Sequence, residues 1–184
     1  CIPAMVARGL QFQLRTGQRG GEVFTMAWAD VDLATGWWTI PATKAKNGTT
    51  HRVPLTPAAL ALLAEAKAHG PADHGWVFAG RAGGSYHARA TKAIALLRSA
   101  GLLTGDYWRH DFRRTIATGM TTASLPSGIV NKVMNQQEGG PSVTKIYDRY
   151  SYDKEKRHAL DTWGRHLDSL IGVGVLGRVV PFLR

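Results

Sequence analysis

The sequence predicts an α+β domain that is mainly α, with a small antiparallel sheet of two or three strands near its amino terminus. Three observations predict it. Apolar residues recur at helical spacing at the start of the chain, as in Ile2, Met5, Val6, Leu10 and Leu14. From Val31 to Leu55 the pattern changes to short β-prone runs separated by turn signals. Beyond them helical patterning resumes and holds to Leu170. With 184 residues, 44% of them hydrophobic, the chain can bury a core and is not expected to be disordered.

A first helix is expected over Ile2 to Leu14, ended by Thr16-Gly17. A short second helix over Gly21 to Trp28 would bury Val23, Met26 and Ala27. Val31 to Leu33, Trp37 to Ile40 and Arg52 to Leu55 are the strands, joined through turns at Thr35-Gly36 and Lys46-Asn47-Gly48. Trp37 and Trp38 must then point to opposite faces. Thr56 caps a helix from Pro57 to Ala68, with proline at its first position. Further helices are expected at Ser85 to Arg98, closed by Gly101, and at Asp111 to Thr121, Ser127 to Met134, Ser142 to Tyr147 and Tyr152 to Leu170. Residues 171–184, apolar and rich in Val and Gly, are expected to form an extended tail, leaving 1–170 as the domain.

The formal net charge of +10, spread along the chain, favours a polyanionic partner, most often nucleic acid. The single cysteine, Cys1, excludes an internal disulfide and a cysteine-based zinc site, and fits a reducing cytoplasm. There is no signal peptide and no apolar run long enough to span a bilayer, so no membrane partner is expected. The chain starts at Cys1 and not at Met, and is expected to be a fragment.

Certain residues offer chemistry, though taken singly each also reads as an ordinary solvated or packing side chain: a helix-start His-Asp with a solvated arginine pair, a surface arginine after a turn, a charged hairpin tip, core tyrosines. His110 and Arg113 are three apart on one helix, so both can reach one phosphate, while Arg114 points elsewhere. Arg19 follows the Thr16-Gly17 turn at the start of a helix. Glu22, one turn on, either buttresses that arginine or simply favours the helix start, and the second reading is slightly preferred. Guanidinium groups offer planar forks of donors that match two phosphate oxygens. Lys44, with Lys46 as its nearby competitor, sits where a hairpin can bring a proton to a leaving oxygen. Tyr147, Tyr150 and Tyr152 compete as nucleophile, and a tyrosine phosphoester would preserve the energy of a broken linkage. His51, His74, His87, His158 and His166 form no ligand spacing and are read as surface or structural. Neither a metal site nor a cofactor is expected. The six tryptophans are read mostly as core.

In this order the segments resemble the catalytic domain of the tyrosine recombinases, the phage integrase family, over residues 2–165. Leu14-Arg15-Thr16-Gly17-Gln18-Arg19-Gly20-Gly21-Glu22 is similar to the family's first arginine box. Thr43-Lys44 followed by Arg52-Val53-Pro54-Leu55 resembles the sheet that carries its lysine. His110-Asp111-Phe112-Arg113-Arg114-Thr115 resembles its His-x-x-Arg box, and Ile146-Tyr147-Asp148-Arg149-Tyr150 its nucleophile segment in prophage-type integrases. The resemblance implies a catalytic set of Arg19 and Arg113 as phosphate clamp, Lys44 as general acid, His110 in proton transfer and Tyr147 as nucleophile. It favours Tyr147 over the other tyrosines.

Where the family places a His or Trp before the tyrosine, this chain has Gln136 in Val133-Met134-Asn135-Gln136-Gln137. An amide still donates to a phosphate oxygen but carries no charge, so retained chemistry is expected. The family's amino-terminal core-binding domain is expected to lie outside this chain. The tail is expected either to dock on a neighbouring subunit or to fold back, adding a strand to the small sheet. The resemblance implies a site-specific recombinase acting on double-stranded DNA as a homotetramer, with a 3′-phosphotyrosyl intermediate and neither metal nor ATP. A non-catalytic DNA-binding relic and a type IB topoisomerase are the alternatives, with a basic RNA-binding protein behind them.

Overall fold

The computed structural model describes residues 2–70, 75–80, 87–102, 109–136 and 150–172, with backbone only at 87–89 and 109–110. Helix α1 (Ala4–Thr16) ends at Gly17, whose φ of 72° is the left-handed cap that glycine adopts at no steric cost. Helix α2 (Gly20–Phe24) is shorter than the sequence pattern implies. The Thr25 hydroxyl donates to the Gly21 carbonyl and closes the helix, and Ala27 then pairs with Trp76 in an isolated bridge. A 3-10 turn, Trp28–Asp30, leads into the sheet.

The sheet has three strands, β1 (Val31–Asp32), β2 (Trp37–Ile40) and β3 (His51–Pro54), antiparallel in the order β1-β2-β3. Asp32 orders the first turn by accepting from the amides of Ala34 at 3.0 Å and Thr35 at 3.1 Å. Trp38 is buried, while Trp37 is half-exposed between the guanidinium groups of Arg52 and Arg157, 4.3 and 4.7 Å from its ring centre. The β2–β3 connection, residues 41–50, is a long excursion that turns at Gly48 with φ 67°.

Helix α3 (Pro57–His69) starts as expected, the Thr56 hydroxyl accepting from the Ala59 amide. Helices α4 (His87–Ser99), α5 (Arg109–Thr122), α6 (Ser127–Val133) and α7 (Asp153–Leu170) follow. The helix expected at Ser142 to Tyr147 and the tail beyond Gly172 lie outside the described residues.

The core joins α1 to α3 and α7, with Phe12, Phe24, Trp38, Phe78 and Trp163 fully buried. Helix α5 approaches α7 closely at Gly119, where a Cβ would lie 2.3 Å from the Trp163 ring. The Trp163 indole also donates to the Leu14 carbonyl at 2.8 Å, tying α7 to α1. This packing brings the α1–α2 turn, the middle of α5, the end of α6 and the β2–β3 connection together.

Candidate active site

The carbonyls of Val133, at the end of α6, and of Met134 and Asn135 just beyond it organise the site. A helix end leaves these groups without intrahelical partners and carries partial negative charge, so cationic donors are favoured there. Val133 accepts from Gln18 Nε2 at 2.9 Å and lies 3.0 Å from His51 Nε2. Met134 accepts from Arg113 Nη2, and Asn135 from Arg19 Nη2 at 3.3 Å. Asn135 itself has φ 49°, a left-handed conformation that a short polar side chain tolerates.

Arg113 is buried on α5 and donates a second bond, from Nη1 to the Gly17 carbonyl at 2.8 Å. The first cap of α1 is thus also an anchor for an arginine from another helix. Burial and then the neighbouring Arg19 charge lower its pKa to about 10, against the opposing pull of Glu22, so Arg113 stays charged at neutral pH. Arg19 is held by the buried Glu22, whose carboxylate lies 3.3 Å from Arg19 Nη1 and accepts from the Arg19 amide at 3.2 Å. Glu22 therefore fills both roles between which its position in the sequence left a choice.

Arg114 is exposed and lies 3.7 Å from Asp111, directed away from Arg113. Position 110 falls on α5 one turn before Arg113, as the spacing required. The His110 side chain and all of Tyr147 lie outside the described residues, but both flanks of the tyrosine segment are placed. Exposed Gln136 ends the α6 side, its amide donating to the Asn131 carbonyl. On the other side the Tyr150 hydroxyl donates to Glu155, Tyr152 stacks edge-on against Tyr150, and Lys132 lies over the Tyr152 ring. Lys156, buried at the start of α7, donates to the Arg52 carbonyl at 2.9 Å and fixes that flank to β3. Its pKa is lowered by burial, against the pull of Asp153.

Lys44 does not join this group. Its ammonium is 2.6 Å from Asp30 and 5.6 Å from the centre of the Trp76 ring. Two residues on, the Lys46 amide lies 3.5 Å from the Glu22 carboxylate, and Asn47 exchanges amide hydrogen bonds with Asn135. The connection therefore approaches Glu22 and Asn135, which hold Arg19, through the Lys46 backbone and the Asn47 side chain, while the Lys44 ammonium pairs with Asp30.

His51 is buried, the structural one of its two readings. Desolvation, aided by the charges of Lys156, Arg113 and Arg19, lowers its pKa to about 4, so it is neutral and Nε2 carries the proton donated to Val133. Its signal in the sequence was the strand alternation with Val53, which also faces inward. Gln18, Asn47 and Asn135 carried no signal beyond turn propensity. Among the described residues, no three His, Cys, Asp or Glu side chains cluster as a metal site would require, and no helix is long and apolar enough to cross a membrane.

The phage integrase family model matches residues 2–153. The chain is 27% identical over 154 residues to prophage integrase IntA of Escherichia coli (strain K12), covering 83% of this chain and 36% of that protein. It is 26% identical over 156 residues to the integrase of Shigella phage Sf6, covering 85% and 40%. The chain thus spans well under half the length of these relatives. Its fold matches an integrase from mycobacterium phage Brujita with a TM-score of 0.64 at 17% identity, over 86% of this chain and 51% of that one. It also matches XerH site-specific recombinase, solved in a pre-cleavage complex with its difH substrate, with a TM-score of 0.56 at 20% identity, over 89% and 49%. The match of the family model over most of the chain, on a fold that gathers Arg19 and Arg113 at the end of α6, makes this chain a member of the phage integrase family, the tyrosine recombinases.

Proposed function

We propose that this chain is the catalytic domain of a site-specific DNA recombinase that cuts and rejoins strands through a 3′-phosphotyrosyl intermediate, without metal or ATP. The observation that carries it is the convergence of the Arg19 and Arg113 guanidinium groups on adjacent carbonyls. Two fixed cations in one place suit a phosphate whose non-bridging oxygens gain charge in the transition state. Their carbonyl anchors use some of the donors of each fork and set the direction of the rest.

Tyr147 is the nucleophile. Its phenolic oxygen attacks phosphorus, giving up its proton with help from His110. The bond from phosphorus to the 5′ oxygen breaks, and that oxygen takes a proton from a lysine. The products are a phosphotyrosyl linkage on the 3′ strand and a free 5′ hydroxyl, and attack by another 5′ hydroxyl reverses the step. We assign the proton to Lys46 in place of Lys44, because Lys44 is engaged by Asp30 while the Lys46 backbone lies against Glu22. Gln136 donates to a phosphate oxygen in place of a charged group. The DNA partner is double-stranded, and four copies act together on it.

A suicide duplex, nicked so that the released strand diffuses away, traps the intermediate. An adduct is expected in the presence of a chelator. Tyr147→Phe should abolish it, and Lys46→Ala should slow it by about 100-fold or more while Lys44→Ala changes it little. An adduct from Tyr147→Phe would remove the assigned nucleophile. No adduct from the wild type, in its full-length context on its cognate site, would leave a non-catalytic DNA-binding relic.

A further inference from the structure

The connection between β2 and β3 is fastened at its far end by a reciprocal amide pair. Asn47 Nδ2 donates to Asn135 Oδ1 at 2.7 Å, and Asn135 Nδ2 donates back to Asn47 Oδ1 at 3.2 Å. Each partner is part of a second ordering contact. Asn47 accepts from the Thr49 amide at 3.3 Å, and the Asn135 carbonyl receives Arg19. Each is also one residue from a group in the proposed chemistry, Lys46 on one side and Gln136 on the other. The pair is half-buried, 88 residues apart in sequence, so it closes a tertiary contact that local turn geometry would not make.

Lys46 is exposed, and its ammonium makes no ion pair among the described residues. Its position therefore depends on the backbone of a connection that runs from Pro41 to Thr50 between strands. The buried Ala45 holds one side of Lys46 and Asn47 the other. Long side chains have many rotamers, so a few restraints on the backbone decide how often such an ammonium reaches one atom.

We propose that Asn47 and Asn135 are positioning residues: their amide pair clasps the β2–β3 connection to the end of α6 and thereby delivers Lys46 to the leaving 5′ oxygen at the Arg19 and Arg113 phosphate site. The clasp rests on the function proposed above, with Lys46 as general acid. It makes no contact with the phosphate itself and acts on one step, protonation of the leaving group.

Chemistry separates this role from a structural one. A duplex with sulfur in place of the bridging 5′ oxygen has a thiolate leaving group, which departs without a proton because thiols are far more acidic than alcohols. On the oxygen substrate, Asn47→Ala should slow single-turnover cleavage by about 10- to 100-fold. Asn135→Gly should do the same, since glycine keeps the positive φ and loses only the amide. The double variant should be no slower than either single one, because both remove one interaction. On the sulfur substrate all three should cleave within about twofold of the wild type, as should Lys46→Ala, while Arg113→Ala stays slow on both because the phosphate charge is unchanged. Equal losses on oxygen and sulfur, undiminished cleavage of the oxygen substrate, or additive losses would each overturn the clasp. A wild type that forms no adduct on either substrate would instead overturn the function on which it rests.

Discussion

His51 places an imidazole in a buried position near three cations, Lys156, Arg113 and Arg19. Protonation there would add a fourth positive charge in a buried setting, so the fold favours the neutral ring. The unfolded chain binds a proton near the ordinary value of 6.5 and the folded chain only near 4. Between those values the unfolded state holds more protons. The stability His51 contributes is therefore complete above pH 6.5 and is lost as pH falls towards 4, by roughly 3 kcal/mol. Denaturant titrations from pH 7.5 to pH 4.5 should show that fall. His51→Gln, which keeps a donor for the Val133 carbonyl and cannot charge, should flatten the profile in that window. Identical slopes for the two proteins would show that another group sets the acid response.

At the scale of elements, α5 matters because it carries His110 and Arg113, and its depth is set by where it meets α7. Gly119 allows that approach. A Cβ at this position would meet Trp163 ring atoms at 2.3 and 2.9 Å. The ring is fully buried and its indole is committed to the Leu14 carbonyl, so it cannot swing aside without leaving that carbonyl unpaired. Gly119→Ala gains about 1 kcal/mol of helix propensity and meets overpacking of about 1–3 kcal/mol. A net destabilisation is expected, with the unfolding midpoint lower by a few degrees, about 2–4 °C per kcal/mol for a chain of this size. An unchanged or higher midpoint in a thermal melt would mean that the helices part more easily than this packing implies.

For the whole molecule, the proposed DNA partner would meet a net charge of +10 and the two guanidinium groups of the site, so phosphate contacts would dominate that interface. Binding should release counterions, with log K falling by about 0.9 per phosphate neutralised for each unit of log salt. Titration of duplex affinity between about 50 and 200 mM salt should reveal a loss of roughly a thousandfold if six phosphates are engaged. A flat response would exclude duplex DNA as the partner that the charge serves.

Much of this was legible in the sequence. The helical and strand periods, Gly17 as a helix end, Thr56 as a cap and the Trp37-Trp38 alternation depend on neighbours along the chain, and the structure places each as the sequence required. Arg19 and Arg113, ambiguous one by one, stood out through the ordered segments that resemble the family's boxes. Local geometry could not choose between Lys44 and Lys46, since both lie on one connection between strands. The proposed assignment to Lys46 rests on contacts distant in sequence: Asp30, 14 residues before Lys44, and Asn135, 88 residues after Asn47. The same holds for Glu22, whose buttressing of Arg19 needs a buried setting, and for His51, whose neutrality comes from cations on three other elements. Local patterns in the sequence determined the class of fold, most of the elements that the described residues contain, the family and the kinds of group available. Tertiary packing decided what holds each guanidinium and where the β2–β3 connection lies, because those contacts join residues that no local pattern relates.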